Sequence, residues 1–280
     1  MEERTREASS KLHKTENYLV VHHEEMYKTY KNIARQVQHL KAKSFVKATP
    51  LINRLNKDVD IILVDEAHLL LTKQDVFKHF RLNNHLEELM KHAKIVIIVF
   101  DPNQILKFKS YWNQQTLDQM KKLSTHNETF QLTNQFRMKA SNSIIEWINS
   151  FKEKNVLPIP KSTDLYEFEV FEYIEDMHKK IISKNKSEGL SRVVSTFDFL
   201  HKKDNKTYYV SESNGEYKLP WNTTSKDYTW AENPQTINEV GSIYTVQGFD
   251  LNYVGVILGP AIQYDELKSE LVIDSTLYKD

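Results

Sequence analysis

Cysteine is absent from all 280 residues, so the chain has no disulfide framework and no zinc–thiolate site. An excess of either charge is absent too, because 38 Lys+Arg balance 38 Asp+Glu. No global positive field draws the protein onto nucleic acid, and any such binding has to come from a local groove. No apolar run approaches the length of a membrane span, which argues against a membrane protein. Met1 to Lys14 is charged and lacks an apolar core, so it does not read as a secretory signal. Together these absences suit the cytoplasm. The most telling shortage is glycine: there are six, and the first is Gly189. A phosphate-cradling Gly-x-x-x-x-Gly-Lys-Ser/Thr loop turns its amides inward at φ values that other residues avoid. No such loop stands in this sequence.

The residues that are present can build a core, with 40% hydrophobic and 27% charged. Tyr18 to Val21 reads as a short strand. Met26, Tyr30, Ile33, Val37 and Leu40 fall at spacings of 4, 3, 4 and 3, one face of a helix. Thr49-Pro50 reads as an N-cap followed by proline at the first helical position. Val59–Val64 and Ile95–Phe100 read as buried strands, with Leu86, Leu89 and Met90 marking a helix between them. Apolar, β-branched strands alternating with helices predict a parallel α/β sheet covered on both faces. In a second half, Ile144, Ile145, Ile148 and Phe151 line a helix. Phe168–Tyr173, Arg192–Thr196 and Val254–Leu258 read as strands. Residues 197–239 read as a polar insertion with a hairpin, Tyr208–Val210 against Glu216–Lys218, turning at Asn214-Gly215. The boundary between halves is expected near residue 135, giving regions 1–135 and 136–280.

Four segments carry chemistry. Ile61 to Val64 delivers Asp65-Glu66-Ala67-His68 to the carboxyl end of a strand, where α/β sheets bind ligands. Asp65 suits Mg²⁺ and Glu66 suits orienting a water; the plain alternative is a strand ending in two solvated acids. His68 either couples this site to a neighbouring motif or caps a helix. Ile97 to Phe100 delivers Asp101-Pro102-Asn103-Gln104, in which Gln104 suits sensing a γ-phosphate, or the segment is a plain turn. Leu132-Thr133-Asn134-Gln135-Phe136-Arg137 brings an arginine that suits a developing phosphate charge, or a surface ion pair. Ile243 to Asp250 contains Gly248, which permits close backbone approach. Thr245 and Gln247 suit phosphate or nucleic-acid backbone; the plain alternative is a β-turn before a core strand.

The order of these segments resembles the superfamily 1 helicases, and most closely the Schlafen-group helicase-like domain. Asp65-Glu66-Ala67-His68 matches its Walker B motif, and Phe100-Asp101-Pro102-Asn103-Gln104 its motif III, with Phe100 where glycine is usual. Asn134-Gln135-Phe136-Arg137 matches motif IV. Thr245-Val246-Gln247-Gly248-Phe249-Asp250 matches motif V, with Asp250 in place of glutamate. The resemblance spans about residues 17 to 260 and leaves out the P-loop and the last arginine motif.

The resemblance implies an α/β fold of two RecA-like parallel-sheet lobes, the first incomplete at its N-terminus. It implies ATP and Mg²⁺ bound between the lobes and single-stranded DNA or RNA across them. Asp65 would bind the metal, Glu66 activate water, and Gln104 and Arg137 sense the γ-phosphate. Gln247, Gly248 and Asp250 would lie near the nucleotide, Asp250 by the ribose or the lobe interface. Lys107, Phe108, Lys109 and Trp112 follow motif III and suit a stacking and phosphate track for single strands, as does Thr245. Phe108 and Trp112 read equally as core residues at helical spacing. With the phosphate loop missing, tight ATP binding by this chain alone is not expected, and a complementing chain carrying a P-loop would be needed. The two readings left open are a helicase-like NTPase module that is incomplete or inactive alone, and a catalytically dead helicase-derived module that binds nucleic acid or a protein. In an empty cleft Arg137 is expected to pair with Asp65 or Glu66.

Overall fold

The computed structural model describes residues 3–104, 110–132, 138, 140–163, 166–202, 204, 206–212, 215–225 and 228–278. The chain divides into two compact units, Met1–Gln131 and Leu132–Asp280. In the first unit, β1 (Asn17–Val21), α1 (Glu24–Gln36), β2 (Phe45–Val46), α2 (Ala48–Arg54), β3 (Val59–Asp65), α3 (His85–Lys91) and β4 (Ala93–Ile98) follow one another, and α4 (Gln114–Lys122) comes after them. The sheet has the order β2-β1-β3-β4, and every pairing is parallel. Strands β3 and β4 are neighbours, with Val64 opposite Ile98.

Val20, Leu51, Ile62, Val64, Leu70, Leu71 and Leu89 are fully buried and form the centre of one core. Burial of each such side chain stabilises by roughly 1.5–3 kcal/mol. Helix α1 stops at Gln36, before Val37 and Leu40, so its apolar face is shorter than the spacing predicts. Thr49 is not the N-cap of α2. The helix starts at Ala48, and the Thr49 hydroxyl lies 2.9 Å from His85 Nε2 instead. Pro50 still sits in the first turn, where its missing N–H costs no hydrogen bond.

Strand β4 departs most from expectation. It is the outer strand of the sheet, and among the described residues nothing pairs with its far side. Ile95 is 52% exposed and Val99 50%, and Ile97 and Ile98 are exposed as well. A buried strand had been read from its composition. Composition records how apolar a segment is, and burial depends on what lies against it.

The second unit holds α5 (Asn142–Lys152), α6 (Ile174–Glu188), β5 (Ser191–Ser195), β6 (Tyr208–Ser211), β7 (Lys218–Trp221), β8 (Val240–Gly241), α7 (Ile243–Val246), β9 (Tyr253–Ile257), β10 (Ile262–Asp265) and β11 (Glu270–Ile273). Five of these strands form a sheet of order β6-β7-β8-β5-β9, parallel except at β6-β7. Strands β10 and β11 form a separate hairpin. Helix α6 packs on β5 and β9. A side chain at Gly255 of β9 would place its Cβ 2.9 Å from Met177 Sδ of α6, so the close approach needs glycine there.

Three readings of this half are corrected. Phe168–Tyr173 is not a strand. The Ser162 hydroxyl takes both Phe168 backbone groups, accepting from its N–H at 2.9 Å and donating to its carbonyl at 3.0 Å. The hairpin exists, but its second strand is Lys218–Trp221, and through β7 it joins the main sheet rather than standing apart as an insertion. Gly215 takes φ 72°, while Asn214 lies outside the described residues. Helix α6 and the β10–β11 hairpin were not anticipated. Met177 and Ile181 at i, i+4, with Gly189 following the helix, were the missed signal for α6.

His85 provides a test of the first core. Its Nδ1 accepts from the Leu71 N–H at 3.0 Å, which places the imidazole proton on Nε2 facing Thr49. Burial pushes its pKa down to about 3, with Lys78 adding to the fall. The unfolded group titrates near 6.5, so the stability tied to neutral His85 is complete above that pH and lost as pH falls toward 3. Between pH 7 and 5 the loss is on the order of 2 kcal/mol. Urea melts at both pH values should show this slope in the native chain and a smaller one in His85→Gln. An unchanged slope in the variant would refute the assignment.

Candidate functional site

In the first unit the site forms at the carboxyl ends of β3 and β4. The Val99 N–H donates to the Val64 carbonyl at 2.9 Å, and the Ala67 N–H donates to the Val99 carbonyl at 2.8 Å. These two bonds extend the pairing past the strands and place Asp65-Glu66 beside Asp101. Asp65 ends β3, and its Oδ2 accepts from the Tyr30 hydroxyl of α1 at 3.1 Å. Burial, reinforced by the Asp65 charge, pushes the Tyr30 phenol up to about 12. Tyr30 therefore stays protonated and remains a donor. Sequence reading had counted Tyr30 as a helix-face residue. Only the placement of α1 over the end of β3 reveals its bond to Asp65.

Glu66 follows with φ 52° and ψ 52°, a left-handed conformation that glutamate rarely takes. Its Oε2 lies 3.0 Å from His68 Nε2, off the hydrogen-bond line, so the contact is electrostatic proximity rather than a formed bond. His68 is 1% exposed, and burial lowers its pKa, with the charges of Asp101 and Asp65 opposing the shift. The ring is neutral near pH 7. Its Nδ1 accepts a long bond from the Asp101 N–H at 3.4 Å, so the remaining proton sits on Nε2, toward Glu66. His68 thus bridges the two motifs. Beyond it the Gln104 side-chain amide donates to Asp101 Oδ2 at 2.9 Å. Asp65, Glu66, His68, Asp101 and Gln104 occupy one edge of one sheet.

Among the described residues no group of three or more His, Cys, Asp or Glu could cage a metal ion. Mg²⁺ needs no such cage when it is shared with phosphates, since one or two carboxylates suffice. Asp65 is a hard oxygen donor of that kind, oriented by Tyr30, and the residues fit that mode of binding.

Of the stacking track, Lys107, Phe108 and Lys109 lie outside the described residues, as does Arg137 with its motif. Trp112 is 3% exposed, donates from Nε1 to the Leu70 carbonyl at 3.1 Å and meets Phe100 edge-on. It is a core residue, with no ring face open to a base.

In the second unit, α7 starts in a capping box. The Thr245 hydroxyl accepts from the Ser242 N–H at 2.8 Å, while the Ser242 hydroxyl accepts from the Tyr244 N–H and donates to Asn222 Oδ1. Thr245 is buried, and this local role occupies its side chain. Gln247 is buried too, whereas Asp250 is exposed. Gly248 takes φ 87°, which glycine alone adopts without strain. The motif is a rigid, capped turn between β8 and β9.

The backbone of Glu66 offers a direct check on its purpose. A left-handed conformation costs a glutamate stability, so Glu66 is not favoured here by its backbone. Glu66→Gly relieves that strain, so unfolding free energy should stay the same or rise by about 1 kcal/mol. Chemical denaturation measures it, and a loss above about 2 kcal/mol would make Glu66 a structural residue.

The family model of the Schlafen group 3, DNA/RNA helicase domain matches residues 3–280. An uncharacterized protein of Saccharomyces cerevisiae, YPL245W, is 36% identical over 294 residues, covering 96% of this chain and 64% of that protein. The chain thus spans less than two thirds of that relative's length. No solved structure matches. With the family model covering nearly every residue, the chain belongs to the Schlafen group 3 DNA/RNA helicase domain family.

Proposed function

We propose that the protein is a helicase-like NTPase module acting on single-stranded DNA or RNA, whose grip on the triphosphate comes from a segment outside these 280 residues. The observation that carries this is the gathering of Asp65, Glu66, His68, Asp101 and Gln104 on the carboxyl edge of one parallel sheet. Ligands of open α/β sheets bind at that edge. Asp65 would hold Mg²⁺, with Tyr30 fixing the direction of its carboxylate. The metal, when bound, supplies charge neutralisation for the phosphates. Glu66 orients the attacking water and accepts its proton. His68 keeps a neutral N–H near that carboxylate and ties it to Asp101. In this reading the Gln104 amide, which donates to Asp101, would sense a terminal phosphate. The family resemblance also assigns Arg137, Gln247, Gly248 and Asp250 to nucleotide binding.

The outer edge of β4 supports the need for a further segment. Among the described residues the all-parallel sheet ends at β4, beside exposed Ile95, Ile97 and Val99, and so has a side suited to another parallel strand. A strand there that led into a glycine-rich loop would bring backbone amides to the same edge as Asp65. In this reading that strand would come from a longer polypeptide or a complementing chain.

A second reading, a catalytically dead module that binds nucleic acid or a protein, is favoured by one observation. No glycine precedes Gly189, so the chain has no phosphate loop of its own beside Asp65. ATP hydrolysis separates the readings. The 280-residue chain alone should show no saturable turnover, and Glu66→Gln should change nothing. Joined to a segment carrying a phosphate loop, it should gain Mg²⁺-dependent turnover that Glu66→Gln lowers by at least about 100-fold. Failure to gain turnover in any such polypeptide leaves the dead-module reading. Robust turnover by the chain alone, abolished by Glu66→Gln, would show that the grip lies within it.

A further inference from the structure

Between the Asp65-Glu66 motif and α3 the chain makes a short, closed excursion. The Asp75 N–H donates to the Phe80 carbonyl at 2.9 Å, and the Phe80 N–H returns a bond to the Asp75 carbonyl at 3.0 Å. Within this ring the Lys78 N–H bonds the Asp75 carbonyl, the His79 N–H bonds the Val76 carbonyl, and His79 takes φ 55° to close the turn. The stem is anchored below. Phe80 is 1% exposed, with its ring centroid 4.0 Å from that of His85, and Leu70 and Leu71 are buried. At the base, the Thr72 hydroxyl bonds the Tyr111 carbonyl at 3.2 Å, tying the excursion to the segment after Asp101–Gln104.

Upon this fixed stem stands Phe77, 93% exposed, with Val76 beside it at 71%. Single exposed apolar residues are common and need no explanation. Two further features set this one apart. The turn is closed by its own backbone bonds, so the ring is presented without the entropy cost of ordering a loose loop. It also carries Lys73, Lys78 and Arg81, all exposed, against one acid, Asp75, which is buried. Within the turn, exposed cations thus outnumber acids around an aromatic ring.

We propose that the Val76–Phe77 turn is a contact point for single-stranded nucleic acid. Phe77 stacks on a base, and Lys73, Lys78 and Arg81 hold the flanking phosphates. An aromatic ring among cations is the chemistry of sequence-tolerant single-strand binding, since every base offers a π face and every linkage a charge. Tyr111, 54% exposed at the base of the loop, offers a second ring nearby. The turn follows the Asp65-Glu66 motif in the chain, and its stem is held by buried Leu70, Leu71 and Phe80. A membrane surface fits less well, because one ring and one valine bury too little apolar area for stable insertion.

The inference rests on the nucleic-acid part of the proposed function, and its test separates the two. Fluorescence anisotropy with labelled oligothymidylate and oligouridylate reads binding by the full chain. Phe77→Ala should weaken it by about tenfold, while Phe77→Trp should hold it within about twofold. The combined Lys73→Gln, Lys78→Gln and Arg81→Gln variant should lower the slope of log affinity against log salt by about 2. All four side chains are exposed, so the variants should fold, as circular dichroism and melting will confirm. If the native chain binds and Phe77→Ala binds equally well, the turn is not the contact point and the nucleic-acid reading survives. If the native chain binds neither oligonucleotide, both fall. If it binds only phosphatidylserine vesicles, in a manner lost with Phe77→Ala, the turn is a membrane contact and the proposal is overturned.

Discussion

The parallel pairing of β3 with β4 is the constraint on which the rest of the first unit depends. Register sets Val64 opposite Ile98, and two more backbone bonds, from Val99 to Val64 and from Ala67 to Val99, carry the match beyond the strands. Both strands therefore end at the same level. Asp65 and Glu66 leave one, Asp101 leaves the other, and His68 spans the gap. A one-residue slip would turn Asp65 to the opposite face of the sheet and break this arrangement. Burial of Ile62, Val64 and Leu89 holds the register.

The same sheet concentrates strain and uncovered surface where its chemistry lies. Glu66 occupies a left-handed conformation, and His68 is buried without a formed hydrogen bond at Nε2. Such costs persist when the surrounding structure over-determines them, and they cluster at functional sites. Strand β4 leaves Ile95, Ile97 and Val99 toward solvent. In the second unit β9 leaves Val254 and Val256 exposed, while its other face packs under α6. Apolar surface on sheet strands favours association, so each unit has room to bury more than it does here.

Much of the fold was legible in the residues. The β-branched runs before Asp65 and Asp101 located β3 and β4, and the i, i+3, i+4 spacing located α1, α3 and α5, because those periods are properties of the local chain. The order of motifs identified the family. What escaped was contextual. Thr49 and Pro50 are capping chemistry by sequence, yet His85, 36 residues on, takes the hydroxyl. Trp112 looks like a stacking ring among lysines, yet Leu70 and Phe100 enclose it. Thr245 looks like a phosphate contact, yet it caps its own helix.

By itself the sequence determined the α/β class, the two acids at the end of β3 and the absence of glycine before Gly189. These depend on residue type and near neighbours alone. Tertiary structure decided that Tyr30 serves Asp65, that His68 joins two motifs, that β4 is the outer strand among the described residues and that Phe77 stands exposed on a closed turn. Each of these is a relation between segments distant in sequence, or between a side chain and the surface. No local period encodes it, because burial and partnership are set only when separate elements pack together.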